Sequence, residues 1–147
     1  MRASDRQVGG THYQPKIDNG VEHWTYCIRS ETPNLEYAAS KYVARWRKKA
    51  GVQDLEKAIH YLEKRIESVN LHIGTMKGGI YLPLMFGEFI SSAECTIEEA
   101  AILYLIMHWT RVSELQTAIA DIRILIQHTQ EEENQMAEPG PGYVNQD

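Results

Sequence analysis

A chain of 147 residues, 43% of them hydrophobic, carries enough apolar material for one domain with a real core and none of the bias of a fibrous or wholly disordered protein. Its formal net charge of -5 excludes a general nucleic-acid binder, which needs a basic surplus to neutralise phosphates, so any anion site must be local. Cys27 and Cys95 lack the spacing of a zinc site or a disulfide framework and read as reduced thiols, while the absence of an apolar leader or a spanning run points to the cytoplasm.

Residues 1–20 hold glycine, proline and few periodic apolar positions, and read as an arm bearing Gly9-Gly10-Thr11-His12-Tyr13. A short amphipathic helix fits 21–29. Asn34 is the expected N-cap of a helix over 35–49, and Gly51 the expected terminator. A second helix over 54–69 places Leu55, Ala58, Ile59, Leu62, Ile66 and Val69 on one stripe. From Gly74 to Ala93, glycines and Pro83 interrupt an apolar run, which predicts a connector, either a short hairpin or a broken helix. Its apolar stretch Gly79–Phe89 suggests self-association into a homo-oligomer.

Thr96-Ile97-Glu98-Glu99 is a capping box opening a third helix over 97–111. Ser113 is the expected cap of a fourth helix over 114–130, with Leu115, Ala118, Ile119, Ile122, Leu125 and Ile126 as its stripe. The acidic run at 131–133 and the Pro-Gly repeats after it predict a disordered tail over 131–147.

Residues 34–47 slide onto 96–109, pairing Glu36 with Glu98 and Tyr42 with Tyr104. A two-residue deletion in the turn then aligns Leu55, Ala58 and Ile59 with Leu115, Ala118 and Ile119. The expected fold is all-α: two hairpins, about 9–69 and 96–130, forming a four-helix core in a single domain over 1–130. In this alignment Lys41, Arg45 and Lys57 become Leu103, Met107 and Thr117, so the anion chemistry belongs to the first hairpin.

Lys41, Arg45 and Lys48 recur at i, i+4 and i+7, joined by Arg47 and Lys49, and Lys57, Tyr61 and Lys64 repeat that spacing on the next helix. Guanidinium and ammonium groups suit phosphate oxygens, and Tyr42, Trp46 and Tyr61 offer faces for a base. The alternative is a solvated basic face. His12 and Tyr13 are candidate phosphate contacts from the arm. No catalytic residue, metal site or cofactor is identifiable: Glu36, Asp54 and Glu56 are too few, among basic and apolar neighbours, for a helical (MazG-like) nucleotide pyrophosphohydrolase, the third function considered. Gly74-Thr75-Met76-Lys77-Gly78-Gly79 lacks the order of a P-loop.

Residues 9–67 resemble a small phage domain family through Gly-Gly-Thr-His-Tyr at 9–13, Lys41-Tyr42, Arg45, Lys48-Lys49, Gly51, Asp54-Leu55, Lys57-Ala58 and Tyr61-Leu62. The family includes the C-terminal part of a nucleotide kinase of short-tailed coliphages that acts on dTMP and dGMP without a P-loop or a magnesium requirement. The resemblance implies nucleotide contacts by His12, Lys41, Arg45, Lys57 and Tyr61, and a setting in an infected bacterial cell. Where that family has Gly-Asn ahead of the Lys-Tyr pair, this chain has Tyr37-Ala38. Two functions remain open: a binding protein that sequesters a nucleotide, cyclic nucleotide or ADP-ribose-type immune signal, and a metal-independent nucleoside monophosphate kinase.

Overall fold

The computed structural model describes residues 20–137, so His12, Tyr13 and the last ten residues lie outside the described residues. Within them the chain is all-helical: α1 (His23–Ser30), α2 (Asn34–Arg45), α3 (Val52–Asn70), α4 (Pro83–Ser92), α5 (Ile97–His108) and α6 (Val112–Ala137). Helices α2, α3, α6 and α5 form a ring of neighbours, while α1 packs on α2 and α4. Leu55, Leu62, Leu115 and Ile122 are fully buried, as the two apolar stripes require.

Several boundaries differ from the sequence expectation. Pro33, not Asn34, precedes the first turn of α2 in extended conformation, and the Asn34 side chain instead accepts from Arg65. The basic helix stops at Arg45 and tightens into a 3-10 turn over Trp46–Lys48, ended by Gly51 at φ 63°, a left-handed value that glycine adopts without strain. Helix α5 ends at His108, and α6 begins at Val112. Ser113 does not cap α6: the Glu114 carboxylate accepts from the amides of Thr110 and Arg111 and from the Thr110 hydroxyl. That carboxyl is held below its usual range by those donors, the Thr110 amide first.

The connector contains α4, whose Pro83 stands in the first turn, where a missing N–H leaves no bond unmade. At the other end, α6 runs seven residues past 130, into the stretch assigned to the tail. Those residues are wholly exposed, and their helix rests on good helix formers and on local pairs such as Gln127 with Glu131.

The repeat is longer than expected and one residue out of the expected register. With an offset of 63, α1, α2 and the turn between them fall on α4, α5 and their turn without a gap. Glu31 and Glu94 both sit at φ 56° after the first helix of each unit. The Thr32 amide binds the Cys27 carbonyl as the Cys95 amide binds that of Ile90, at 2.9 and 3.1 Å. Burial matches as well: Glu36, Ala39, Ser40, Val43 and Trp46 correspond to Glu99, Ile102, Leu103, Ile106 and Trp109, all buried. Beyond the turn the offset is 60, so three residues, not two, are missing from the second hairpin.

The two units face each other across an approximate two-fold axis. Trp46 Nε1 donates to Glu99 at 2.7 Å, and Trp109 Nε1 donates to Glu36 at 2.6 Å. Tyr26 stacks on its counterpart Phe89 with centroids 5.8 Å apart. The cross pairs His23–Phe89 and Tyr26–Phe86 are 5.6 and 5.5 Å apart. Reciprocal pairs of this kind are what a two-fold interface produces. The molecule therefore has the architecture of a dimer of three-helix units joined in one chain.

Candidate functional site

The cations singled out in the sequence separate into two groups. Helices α2 and α3 are antiparallel, and their inward alanines and leucines bring Tyr42 and Tyr61 into parallel contact, with centroids 6.0 Å apart and planes 14° from parallel. Around that pair stand the Lys41 ammonium at 5.8 Å, the Arg45 guanidinium at 4.8 Å and the Lys57 ammonium at 5.4 Å from the Tyr42 centroid. Lys64 lies 5.7 Å from the Tyr61 centroid. The electron-rich ring faces hold these cations in one place, which offsets part of their mutual repulsion.

Trp46, Lys48 and Lys49 are not in this cluster. Trp46 is buried, bonded to Glu99 and covered on one face by Arg47, whose guanidinium carbon lies 4.5 Å from the ring centroid. It is a tie between the two units. Lys48 pairs across the surface with Glu94 at 3.6 Å, and Lys49 is exposed on the turn that leads to α3. Tyr42 and Tyr61, singled out as faces for a base, stack on each other here and have cations beside them.

One group at the site was missed as a site residue. Asp54, on the first turn of α3, is fully buried; its Oδ2 lies 3.4 Å from Arg45 Nε and accepts from the Ala50 amide at 3.3 Å. Its Oδ1 is buried and makes no hydrogen bond among the described residues. The available signal was the Arg45-to-Asp54 spacing across a tight helical turn.

The buried polar groups elsewhere serve the fold. Glu36 accepts from Arg65 Nε at 3.0 and 3.1 Å through its two oxygens, with Arg65 Nη2 at 2.9 Å from Oε1. Ser40 Oγ sits 2.8 Å from His23 Nε2, but Ser40 is fully buried, so this is not a nucleophile and its base. Burial, and secondarily Lys41, pulls His23 down to about 4. His108 Nδ1 lies 2.9 Å from the Gly79 carbonyl and Nε2 2.8 Å from the Tyr26 hydroxyl. A carbonyl accepts only, so Nδ1 carries the proton and the tyrosine donates to Nε2. Burial lowers the His108 pKa and pushes the Tyr26 hydroxyl up to about 12. Burial likewise raises the Cys27 and Cys95 thiols to about 11 and 12, which removes the thiolate needed for nucleophilic work.

At the corresponding place in the second unit, Lys41 and Arg45 become Tyr104 and His108, and Lys57 becomes Thr117. The expected replacements of the first two by Leu103 and Met107 came from the wrong register; both of those residues are fully buried and face the core. Tyr81 packs edge-on against Tyr104 at 4.9 Å and lies 5.2 Å from His108, so aromatic rings fill the space near these residues. Among the described residues no group of three or more histidine, cysteine, aspartate or glutamate side chains could hold a metal ion, and no helix is long and apolar enough to cross a membrane. Comparison with family models, curated proteins and solved structures returns no match.

Proposed function

We propose that this chain binds the phosphate groups of a nucleotide on α2 and α3 and sequesters that ligand. The observation that carries the reading is the convergence of Lys41, Arg45 and Lys57 on the Tyr42 ring, in a protein whose overall charge is negative. Three cations held within one ring's reach suit a multiply charged anion better than a solvated face would, because a solvated face gains nothing from gathering them. The resemblance of residues 9–67 to the phage nucleotide-kinase domain points the same way and supports a setting in an infected cell. With Tyr42 and Tyr61 engaged by each other, recognition rests on phosphate, and selectivity among bases is small. Self-association belongs to the same reading, supported by the exposed Ile80, Tyr81 and Leu84.

The test is incubation with a panel of nucleoside mono-, di- and triphosphates, cyclic nucleotides and ADP-ribose derivatives, followed by denaturation and chromatography. Sequestration predicts that the bound compound is recovered intact. A compound that gains a phosphoryl group from another nucleotide would move the assignment to the nucleotide kinase, and a triphosphate split by water into monophosphate and pyrophosphate would move it to the pyrophosphohydrolase. Failure of every compound to bind would remove the reading.

A further inference from the structure

Asp54 and Glu114 are equivalent residues: each is the third of its helix, and each opens the second arm of its hairpin. They do different things. Glu114 is half-exposed and spends its carboxylate on the helix start, accepting from Thr110 N, Thr110 Oγ1 and Arg111 N at 2.9 to 3.1 Å. Asp54 is shorter by one methylene and fully buried; it makes one long bond to the equivalent amide, Ala50 N, at 3.3 Å, and its Oδ2 faces Arg45 Nε at 3.4 Å. A buried carboxylate with one oxygen that makes no hydrogen bond among the described residues is a poor choice for stability alone. The second unit shows that a better cap is available in this architecture. Besides a turn that is three residues longer, what separates the first position from the second is the partner, because Arg45 in the first unit is replaced by His108 in the second.

We infer that Asp54 is a positioning residue for the anion site: it fixes the Arg45 guanidinium over Tyr42 so that a phosphate meets an oriented cation. This rests on the nucleotide-phosphate reading of that site. Ordering a guanidinium costs rotamer entropy, and the share of that ordering supplied by Asp54, beside the contact with Tyr42, does not fall on the binding step. Asp54 bears this ordering in the folded protein before the ligand arrives. The carboxylate also carries a negative charge beside the site, so a direct Coulomb effect and a positioning effect have opposite signs. Removing the charge raises affinity for an anion if the field dominates, and lowers it if orientation dominates.

The experiment is calorimetric titration of inorganic pyrophosphate into wild type, Asp54→Asn, Asp54→Glu, Arg45→Ala and the two corresponding double variants, with a thermal melt of each. Asp54→Asn keeps an acceptor for Ala50 N. Asp54→Glu keeps the charge but gives the residue the length with which Glu114 turns to the cap. Positioning predicts that both weaken pyrophosphate binding by roughly fivefold or more, and that both losses vanish in the Arg45→Ala background. Unchanged or tighter binding by either folded single variant overturns the inference, as does an equal loss with Arg45 absent. A wild type that binds neither pyrophosphate nor any nucleotide of the panel overturns the phosphate reading itself. Binding by wild type with no loss in the variants leaves that reading standing and removes Asp54's role alone.

Discussion

Where α2 carries Lys41 and Arg45, α5 carries Tyr104 and His108, and where α3 carries Lys57, α6 carries Thr117. The two units share the order of helices, the first turn, the inward-facing pattern and the glutamate-to-tryptophan ties, yet they differ at the three outer positions that carry the cations. The shared set is what the two-fold interface requires. The divergent set is free of that requirement, and in the first unit it gathers cations while in the second it packs aromatic rings. An internal duplicate thus serves as a control: features present in both units are explained by folding, and features present in one need another explanation.

The largest test of this division compares the two buried glutamates. Glu36 holds Arg65, which is 5% exposed at the side chain, whereas Glu99 holds Arg47, which is 54% exposed. Glu36→Ala strands a buried guanidinium and should destabilise by about 3–5 kcal/mol. Glu99→Ala lets Arg47 turn to water and should cost about 1–3 kcal/mol, mostly through the Trp46 bond and the capping box. Chemical denaturation of both variants checks the order, and equal losses would break the asymmetry.

The second test replaces a residue by its counterpart. Phe86 stands where the first unit has His23, and His23→Phe should abolish a specific pH dependence. Folding lowers His23 from 6.5 to about 4, so the folded state binds fewer protons than the unfolded chain in that window. Stability is complete above pH 6.5 and falls as pH drops toward 4, by roughly 3 kcal/mol in total. His108 is shifted in the same direction and remains in the variant. Melts of wild type and His23→Phe between pH 7.5 and 4.5 should show the shallower slope in the variant.

The third sharpens the functional side. Arg45→Ala should weaken binding of the panel's best phosphate ligand about ten- to a hundredfold, matching roughly 1.5–3 kcal/mol for a charge-assisted hydrogen bond; the variant should fold but melt lower, because the buried Asp54 carboxylate loses its ion-pair partner. His108→Ala at the counterpart position should leave affinity unchanged but lower the melting temperature, because Tyr26 and the Gly79 carbonyl lose their partner. The smallest effect belongs to Lys48→Ala: its pairing with Glu94 joins two exposed groups, so less than twofold in affinity and about 0–1 kcal/mol in stability are expected from titration and melting.

The hairpins were legible because apolar residues at three- and four-residue spacing leave little choice but a buried helical stripe. Register was less legible for the same reason: the doublets Ala38-Ala39 and Ala100-Ala101 match at both positions with an offset of 62 and at only one with 63, so they favour the wrong register. The decisive signal was polar, the ten-residue step from Glu36 to Trp46 repeated from Glu99 to Trp109. In sequence, Trp46 beside cations resembles a stacking platform, and only its bond to Glu99, 53 positions away, shows its structural use. Helix α4 was obscured by Pro83 and Gly87, yet the proline sits at a permitted first turn and nothing lies within 4 Å of a Cβ at Gly87. Lys41, Tyr42, Arg45, Lys57 and Tyr61 came together as their spacing implied, since one face of each helix of a hairpin must meet the other.

The segment between the units passes through a gap too narrow for side chains. A Cβ on Gly79 would lie 2.5 Å from the Ser30 carbonyl oxygen, and one on Gly78 would lie 2.7 Å from that of Met107. Three successive amides there, of Gly78, Gly79 and Ile80, donate to Trp109, Met107 and Ser30 at 2.6 to 2.7 Å. Two of those acceptors belong to the second unit and one to the first, so the trio closes only when both units are in place. Their hydrogen exchange with solvent consequently reports docking of the halves, separately from the unfolding of either, and should slow last as the protein assembles.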